Sequence, residues 1–256
     1  MASSSLLEFA GLTDVGRVRE TNEDAIFIHE ELKFALLADG MGGYNAGEVA
    51  SEMAVSGIRE KLEQGLRRRR FSFFGKQGDH VRQLLTEAIA EANQRIYQHA
   101  RSDPYYYGMG TTLAAIVFHG KRVTIAHVGD SRIYRFRNSE LVQLTRDHTW
   151  VQSQVDVGWM SEQEAAMSEY KNLLTRALGV SEQVSADIDE FETLPEDIYL
   201  LCSDGLTDGV PTEEIAELLR QAGLGPDECA KKLVQRANEA GGYDNVSVLV
   251  IKNTSK

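Results

Sequence analysis

Four aspartates stand where a hydrophobic, strand-like run meets a glycine or an asparagine. They are Asp39 before Gly40, Asp130 after Gly129, Asp204 before Gly205 and Asp244 before Asn245. A carboxylate at a strand end has a rigid backbone behind it, and hard divalent cations such as Mg²⁺ and Mn²⁺ select oxygen ligands. Asp-Gly and Asp-Asn pairs also serve tight turns, which is the alternative interpretation of any one of them. Four together, with a further acidic cluster at 22–24, favour a carboxylate-rich metal site.

A basic side chain lies close to this acidic cluster in the sequence. Arg19 precedes Glu23 and Asp24, and its guanidinium is a planar fork that matches the oxygens of a phosphate group. Beside a metal pair, Arg19 would hold a phosphoryl group while a metal-activated water attacks it. The alternative is a surface salt bridge, which contributes little to stability. The pattern therefore indicates phosphate chemistry but leaves the role of Arg19 open.

Hydrophobic periodicity predicts the elements that carry these residues. Apolar residues recur at three- and four-residue steps over 46–62 and 81–96, which predicts two amphipathic helices, the second ending near Pro104. Two more helices are predicted at about 212–221 and 226–240, with Pro226 in the first position of the latter. Strand-like runs occur at 34–38, 113–118, 123–128, 132–136, 141–144, 197–202 and 246–251.

The order of these elements predicts the fold class. The runs between 113 and 144 are joined by short turns, which predicts a meander of antiparallel strands. Helices occur in separate pairs and do not alternate with strands, so we expect an α+β protein. We predict an αββα sandwich of two antiparallel sheets flanked by helix pairs, in a single domain over residues 1–256. The polar segment at about 147–190, with short helical stretches near 150–155 and 162–167, is a candidate mobile flap.

The composition limits the classes of partner. The chain has 256 residues, 42% of them hydrophobic, and a formal net charge of -12. This charge repels nucleic acid and anionic membranes at long range, and no apolar run approaches the roughly 20 residues of a membrane span. We expect a cytoplasmic monomer without nucleic-acid partners. Cys202 and Cys229 lack the spacing of a metal or redox site, so we expect buried, reduced thiols.

One basic and aromatic segment departs from the acidic composition. Arginines occupy positions 67–70, and phenylalanines follow within 71–74. The segment could dock a phosphorylated partner or a membrane surface, or it could be a solvated helix end that runs into a loop. The sequence leaves these interpretations open.

Six motifs resemble those of a known family. They are Gly16-Arg17-Val18-Arg19-Glu20-Thr21-Asn22-Glu23-Asp24, Ala38-Asp39-Gly40-Met41-Gly42-Gly43, Gly110-Thr111-Thr112, Val128-Gly129-Asp130-Ser131-Arg132, Leu201-Cys202-Ser203-Asp204-Gly205-Leu206-Thr207-Asp208 and Asp244-Asn245-Val246-Ser247. Their order and rough spacing are similar to those of the metal-dependent protein phosphatases, the PPM or type 2C family, and the second motif resembles its compact bacterial branch. The resemblance implies a serine/threonine protein phosphatase whose partners are phosphorylated proteins, themselves substrates of a serine/threonine kinase.

The resemblance also implies a set of metal ligands. It implies two Mg²⁺ or Mn²⁺ ions, with Asp39 bridging both, the Gly40 carbonyl and Glu23 on one ion, and Asp204 and Asp244 on the other. Family members of the bacterial type can bind a third, weaker ion. The matching ligands here are Asp130 and Asp204.

Roles in the reaction follow from the same resemblance. Arg19 would bind the substrate phosphate, Asp24 would orient the attacking water, and His148, at the entrance of the predicted flap, would touch the substrate. A water that bridges the two divalent ions would attack the phosphorus directly, with no covalent intermediate. This agrees with the expectation that Cys202 lies in a buried strand, where a thiol is inert.

The chain departs from the family pattern at the proton donor. Many relatives have a histidine in or just after the Asp-Gly motif, whereas here Met41 follows Gly40, and Tyr44 stands where bacterial relatives often have histidine. A metal-bound water or the Tyr44 phenol, a modest donor with an ordinary pKa of about 10, would then protonate the leaving alcohol. Two alternatives stay open: a non-catalytic module that senses metal or binds a phosphoprotein, and a phosphatase domain that acts on a small molecule or regulates transcription factors.

Overall fold

Two antiparallel β-sheets form the centre of the protein in a computed structural model that describes residues 6–43, 46–69, 77–221 and 224–255. The strands are β1 (Leu7–Asp14), β2 (Asp24–His29), β3 (Phe34–Met41), β4 (Gly110–Thr111), β5 (Leu113–His119), β6 (Arg122–Val128), β7 (Arg132–Arg137), β8 (Glu140–Gln143), β9 (Asp187–Glu192), β10 (Ile198–Cys202) and β11 (Val246–Asn253). The helices are α1 (Ala46–Arg69), α2 (Gln77–Ser102), α3 (Trp150–Asp156), α4 (Glu162–Ala166), α5 (Asp204–Thr207), α6 (Thr212–Arg220) and α7 (Pro226–Glu239).

The layers of the sandwich follow from the strand order and the buried clusters. Sheet I has the order β1-β11-β10-β7-β8, and sheet II has the order β2-β3-β5-β6-β9, with β4 paired to β3. Apolar residues such as Leu37, Ile116, Leu201 and Leu249 fill the space between the sheets. Helices α1 and α2 bury their apolar faces on sheet II, and α6 and α7 bury theirs on sheet I. The predicted αββα sandwich is confirmed.

The four long helices predicted from apolar periodicity are present as α1, α2, α6 and α7. Along α1, Ala50, Ala54, Ile58 and Leu62 recur every four residues and are all completely buried, as one face of a helix against a sheet requires. Helix α2 ends at Ser102, two residues before Pro104. Helix α7 begins at the predicted proline, and no described helix is long and apolar enough to cross a membrane.

The predicted meander between residues 113 and 144 is wrong, because the chain changes sheet in the middle of it. Strand β5 pairs with β6 in sheet II, whereas β7 pairs with β8 in sheet I. The change follows Gly129, whose φ of 98° lies in the left-handed region that favours glycine. Strands β5 and β6 are buried on both faces, whereas three of the six residues of β7 are arginines. A burial pattern does not say which strand is the pairing partner, so the local pattern could not show which sheet each would join.

Four strands were not predicted: β1, β2, β9 and the two-residue β4. No residue of β1 or β2 is fully buried, so the hydrophobic signal that identifies an interior strand is weak in both. Strand β9 has four acidic residues among its six and pairs with β6. It overlaps the end of the segment predicted as a flap, which therefore ends before Asp187. The two short helices predicted within that segment are present as α3 and α4.

Two features singled out in the sequence lie partly or wholly outside the described residues. Tyr44 is one of them, and most of the basic and aromatic segment after α1 is the other. The cysteines are described, and both are free and buried as predicted. Burial raises the pKa of the Cys202 thiol to about 12, so this side chain is a protonated, inert part of β10.

Candidate metal centre

The aspartates predicted as ligands converge at one edge of the two sheets. Asp24 and Asp39 are direct partners across β2 and β3. Asp130 directly follows β6 and Asp204 begins α5, just after β10. The negative charges of Asp24, Asp204, Asp130 and Asp244 all contribute to raising the pKa of Asp39, after burial itself. The structure therefore brings together five carboxylates that are far apart in the sequence.

Burial and mutual repulsion leave this acidic cluster poorly stabilised by the protein alone. Burial is the main cause that raises the pKa of Asp24 and of Asp130 to about 6, and it raises the pKa of Asp39 and Asp204 well above their ordinary range. Asp24 Oδ1 is buried and has no hydrogen-bond partner among the described residues. Charges gathered in this way require compensation by an opposite charge. The oxygen-only donor set fits divalent cations such as Mg²⁺ and Mn²⁺.

Glu23 joins the cluster from the loop before β2 and lies against the start of α1. Its carboxylate accepts a hydrogen bond from the backbone N–H of Gly47, where the helix dipole favours a negative charge. The Gly40 N–H donates to the Glu23 carbonyl oxygen at 3.1 Å. A Cβ atom on Gly47 would lie 2.6 Å from Glu23 Oε2, and one on Gly40 would lie 2.1 Å from the Gly47 carbonyl oxygen. Glycine at both positions lets β3, Glu23 and α1 approach this closely.

Arg19 lies at the exposed side of the cluster. Its Nη2 donates to Asp244 Oδ2 at 2.7 Å, and its side chain is 54% exposed. Contact with Asp244, and the nearby charges of Glu23 and Asp204, raise the pKa of the Arg19 guanidinium. The predicted cation for phosphate and the predicted metal ligands therefore share one site, although Arg19 pairs with one of those carboxylates here.

Asn245 is a supporting residue whose role the sequence did not show. Its Oδ1 accepts from the Glu23 N–H at 2.8 Å, and its Nδ2 donates to the carbonyl oxygens of Val15 and Thr21 at 3.0 and 2.9 Å. One buried amide thus holds the loop that carries Arg19 and Glu23 against the start of β11. The available signal was the Asp-Asn pair, which predicted a ligand and a turn but not this bridge.

Two hydroxyl groups, also not identified from the sequence, support the central aspartates. Thr112 Oγ1 accepts from the Asp39 N–H at 2.9 Å and lies 2.6 Å from Ser131 Oγ, so it links the ends of β3 and β6. Ser203 Oγ donates to Asp24 Oδ2 at 2.9 Å. Both residues occur in the matched motifs, but a hydroxyl in a motif does not indicate which carboxylate it will reach.

A cavity of about 460 Å³ lies beside the cluster, against the segment before β9 that was predicted as a flap and is called the flap segment, or flap, below. Asp130 and Asp204 line it from the sheets, and Val151 and Lys171 line it from the flap. Lys171 Nζ donates to Asp208 Oδ2 at 2.7 Å, so the flap contacts the segment that follows Asp204. The cavity is large enough for a phosphorylated side chain.

His148, predicted to touch substrate, is buried at the base of the flap with 6% exposure. Its Nδ1 accepts from the Gly129 N–H at 3.1 Å, its Nε2 lies 3.3 Å from Asp187 Oδ2, and its ring stacks on His127. Both ring nitrogens are therefore engaged with the protein. This geometry does not support the predicted substrate contact, because a buried ring with both nitrogens in use has no free polar atom to offer.

Sequence relatives identify the family. Residues 16–236 match the family model described as Protein phosphatase 2C. The chain is 38% identical to the serine/threonine protein phosphatase PstP of Mycobacterium tuberculosis strain H37Rv, over 96% of this chain but only 45% of that protein, so it spans about half the length of this relative. It is also 38% identical to the serine/threonine phosphatase stp of Listeria monocytogenes EGD-e, over 94% of this chain and 93% of that protein.

Solved structures agree with this assignment. The crystal structure of Mycobacterium tuberculosis PstP/Ppp has a TM-score of 0.85 and 37% identity, covering 96% of this chain and 98% of that one. The catalytic domain of PstP in complex with 2 manganese ions has a TM-score of 0.83 and 36% identity, covering 97% and 99%. Staphylococcus aureus Stp1 has a TM-score of 0.86 and 32% identity, covering 98% and 97%. With its carboxylate cluster at the common edge of two sheets, this chain belongs to the protein phosphatase 2C family.

Proposed function

We propose that this chain is a metal-dependent phosphatase that removes phosphate from phosphoserine and phosphothreonine in proteins, and that it works as one monomeric domain. The observation that carries the proposal is the convergence of five aspartates with one exposed arginine at a single sheet edge. The relatives named serine/threonine phosphatases, and the PstP catalytic domain with its manganese ions, support it.

The residues that would hold the cations are those that the geometry gathers. Asp39 is the proposed bridge between two divalent ions, because its charge interacts with every other aspartate of the cluster. The remaining proposed ligands are Glu23 and the Gly40 carbonyl for one ion, Asp204 and Asp244 for the other, and Asp130 with Asp204 for a third, weaker ion. Such a metal pair lowers the pKa of a shared water and neutralises charge on phosphoryl oxygens.

The chain's own groups then orient the reactants. Asp24 is held through Oδ2 by the Ser203 hydroxyl, which leaves its buried Oδ1 to accept a hydrogen bond from the attacking water. The Arg19 guanidinium presents further N–H donors on the exposed side, where the phosphate of a protein substrate would arrive. Met41 follows Gly40 and has no proton to donate, so protonation of the leaving alcohol would fall to water in the cavity or to the Tyr44 phenol, which lies outside the described residues.

Hydrolysis of matched phosphopeptides tests the proposed function. We expect turnover of phosphoserine and phosphothreonine peptides with Mn²⁺ or Mg²⁺, loss of activity in EDTA, and recovery when Mn²⁺ is restored. Assays with a phosphotyrosine peptide, and with Ca²⁺ in place of Mn²⁺, show which phosphorylated residues and which metals support turnover. Absence of turnover with every metal, in a folded protein that still binds Mn²⁺, would favour the non-catalytic module.

Arg19→Ala should raise KM more than it lowers kcat. A hydrogen bond to a charged group is worth about 1.5–3 kcal/mol, so we expect KM for a phosphopeptide to rise about 10-fold or more. An interaction that mainly holds the ground-state phosphate affects KM in this way. Arg17→Ala removes the same charge from the same exposed loop and should leave both constants nearly unchanged. A large fall in kcat at unchanged KM would contradict this role for Arg19.

A further inference from the structure

A compact polar cluster lies at the base of the flap, outside the candidate metal centre. One ligand atom each from His127, His148 and Asp187 lie within 4.8 Å of one another, which is a spacing that suits a transition metal. However, Arg176 Nη1 lies 2.8 Å from Asp187 Oδ1 and 3.1 Å from His148 Nε2. A guanidinium therefore already supplies the positive charge, and the cluster is better explained as a hydrogen-bonded support.

The hydrogen bonds define the tautomer of His148. The Gly129 N–H can only donate, so Nδ1, 3.1 Å away, must accept and carries no proton. The ring proton of the neutral imidazole is then on Nε2, which donates to Asp187 Oδ2 at 3.3 Å. Arg176 donates to the other carboxylate oxygen of Asp187, so its closeness to Nε2 results from a shared partner. Burial lowers the pKa of His148, which favours this neutral form.

His148 binds both polar atoms of the Gly129 backbone. In addition to the bond at Nδ1, the His148 N–H donates to the Gly129 carbonyl oxygen at 2.9 Å. Gly129 has a φ of 98°, and a Cβ atom there would lie 2.7 Å from Thr112 Cγ2. The buried imidazole therefore holds the Val128–Gly129 peptide through its N–H, and the His148 backbone N–H holds the Gly129–Asp130 peptide through its carbonyl oxygen. The next residue in the chain is Asp130.

His148 also joins the two ends of the flap. Its carbonyl oxygen accepts from the Thr175 N–H at 2.8 Å, on the segment that returns toward β9. Its ring stacks on His127 with 4.5 Å between centroids, and His127 Nε2 donates to the Arg146 carbonyl oxygen at 2.8 Å. The end of β6, the flap entrance and the flap return thus meet at one residue, His148, through its ring and its backbone.

We propose that His148 is a positioning residue for Asp130: its imidazole fixes the Val128–Gly129 peptide, and with it the backbone that leads into Asp130, so that the Asp130 carboxylate faces a weakly bound divalent cation, and Asp187 maintains the required tautomer. The inference rests on the proposed function, because it takes Asp130 as a ligand. Partners that orient metal ligands typically change metal affinity by about 10- to 100-fold when removed.

The test compares three variants by Mn²⁺ titration, with free Mn²⁺ counted by electron paramagnetic resonance, so that binding is read without activity. His148→Leu removes the acceptor for the Gly129 N–H and should weaken the weakest class of bound Mn²⁺ by about 10-fold or more. His148→Asn places an amide oxygen near the position of Nδ1 and should stay within about 3-fold of the parent protein. Asp130→Asn is the reference variant, because it removes a proposed ligand of the most weakly bound Mn²⁺ itself. The tighter ions should be unaffected in all three variants.

Several outcomes would overturn the proposal. An unchanged titration in His148→Leu would show that the imidazole does not act on the ligand, and equal damage in His148→Asn and His148→Leu would show that ring packing is what matters. If His148→Leu does not fold, Asp187→Ala decides, because the Asp187 side chain is 43% exposed. Weakening of the same class in Asp187→Ala supports the proposal, and no change rejects it. If Asp130→Asn itself leaves the parent titration unchanged, the ligand assignment of the proposed function has failed instead.

Discussion

Asp39→Asn is expected to abolish metal-dependent hydrolysis while making the metal-free protein more stable. The Asp39 carboxylate is buried among four other aspartates, and burial with their repulsion raises its pKa well above the ordinary range. Asparagine has nearly the same shape but no charge, so it removes this repulsion together with the proposed bridge between the ions. We expect kcat/KM to fall by about 10³-fold or more, equivalent to about 4 kcal/mol of transition-state stabilisation.

Thermal unfolding separates the two effects. In EDTA the melting temperature of Asp39→Asn should exceed that of the parent protein by several degrees, since 1 kcal/mol corresponds to about 2–4 °C in a domain of this size. With saturating Mn²⁺ the order should reverse, because only the parent protein gains from binding at the bridging position. A variant less stable than the parent in EDTA would show that the cluster holds no repulsion to relieve.

Asp197→Asn is the matched control for a buried aspartate without a proposed catalytic role. Asp197 precedes β10, at the end opposite Asp204, and is 1% exposed. Arg137 donates to its two carboxylate oxygens at 2.6 Å each, and the Leu194 N–H donates at 2.7 Å. Removing the charge of Asp197 from this pair should cost about 3 kcal/mol of stability, at the low end of the range found for buried pairs that lose one partner. The folded fraction should retain its activity and its response to Mn²⁺.

The metal-free protein is expected to become more stable as the pH falls from 8 to 5. Burial is the main cause that raises the pKa of Asp24 and Asp130 to about 6 in the folded protein, against an ordinary value of about 3.9 when unfolded. The folded state therefore binds more protons than the unfolded state in this window. Stability from these groups is fully present below about pH 4 and is lost as the pH rises through 6. The pKa values of Asp39 and Asp204 are raised further, so the loss of stability extends to higher pH.

The size of this pH effect, and the carboxylates that cause it, can both be measured. Each pKa difference of one unit corresponds to 1.36 kcal/mol, so Asp24 and Asp130 contribute about 3 kcal/mol each once the pH is below 4, and about half of that between pH 8 and pH 5. Carboxylates with a lowered pKa, such as Asp156 beside Arg146, lose their contribution only at lower pH and do not mask the trend. Urea unfolding in EDTA at pH 5, 6, 7 and 8 gives the slope of the free energy of unfolding against pH.

Saturating Mg²⁺ should remove or reverse this slope, because bound cations favour the ionised carboxylates. Asp39→Asn in EDTA should show a shallower slope than the parent protein, since one of the coupled groups no longer titrates. A metal-free protein that is most stable near pH 7.5 and loses stability toward pH 5 would contradict the description of the cluster as mutually repulsive.

The sequence was sufficient for features that depend on local patterns. Apolar residues at three- and four-residue spacing predicted α1 and α2, because one face of a helix must be apolar to pack on a sheet. Alternation of apolar runs and turns predicted β5 to β8 and the general sandwich. Aspartates at strand ends predicted a site for divalent cations, since few environments other than a cation site or a turn suit a carboxylate beside a buried strand.

What the local patterns could not predict depends on contacts between distant segments. The chain changes sheet after the turn at Gly129, and the burial patterns of β5 and β7 do not indicate which strand each will pair with. Half-exposed β1 and β2 gave little hydrophobic signal, although β2 places Asp24 directly opposite Asp39.

The sequence by itself determined which chemistry is possible: oxygen ligands, a cation for phosphate and no accessible thiol are properties of residue types and their spacing. Only the tertiary structure decided how those residues act together. It paired Asp24 with Asp39, linked Asn245 to the loop of Glu23, and buried His148 against Gly129 instead of leaving it open to substrate. The physical reason is that ligand orientation depends on backbone hydrogen bonds and like-charge interactions between segments up to more than 200 residues apart, which no local pattern records.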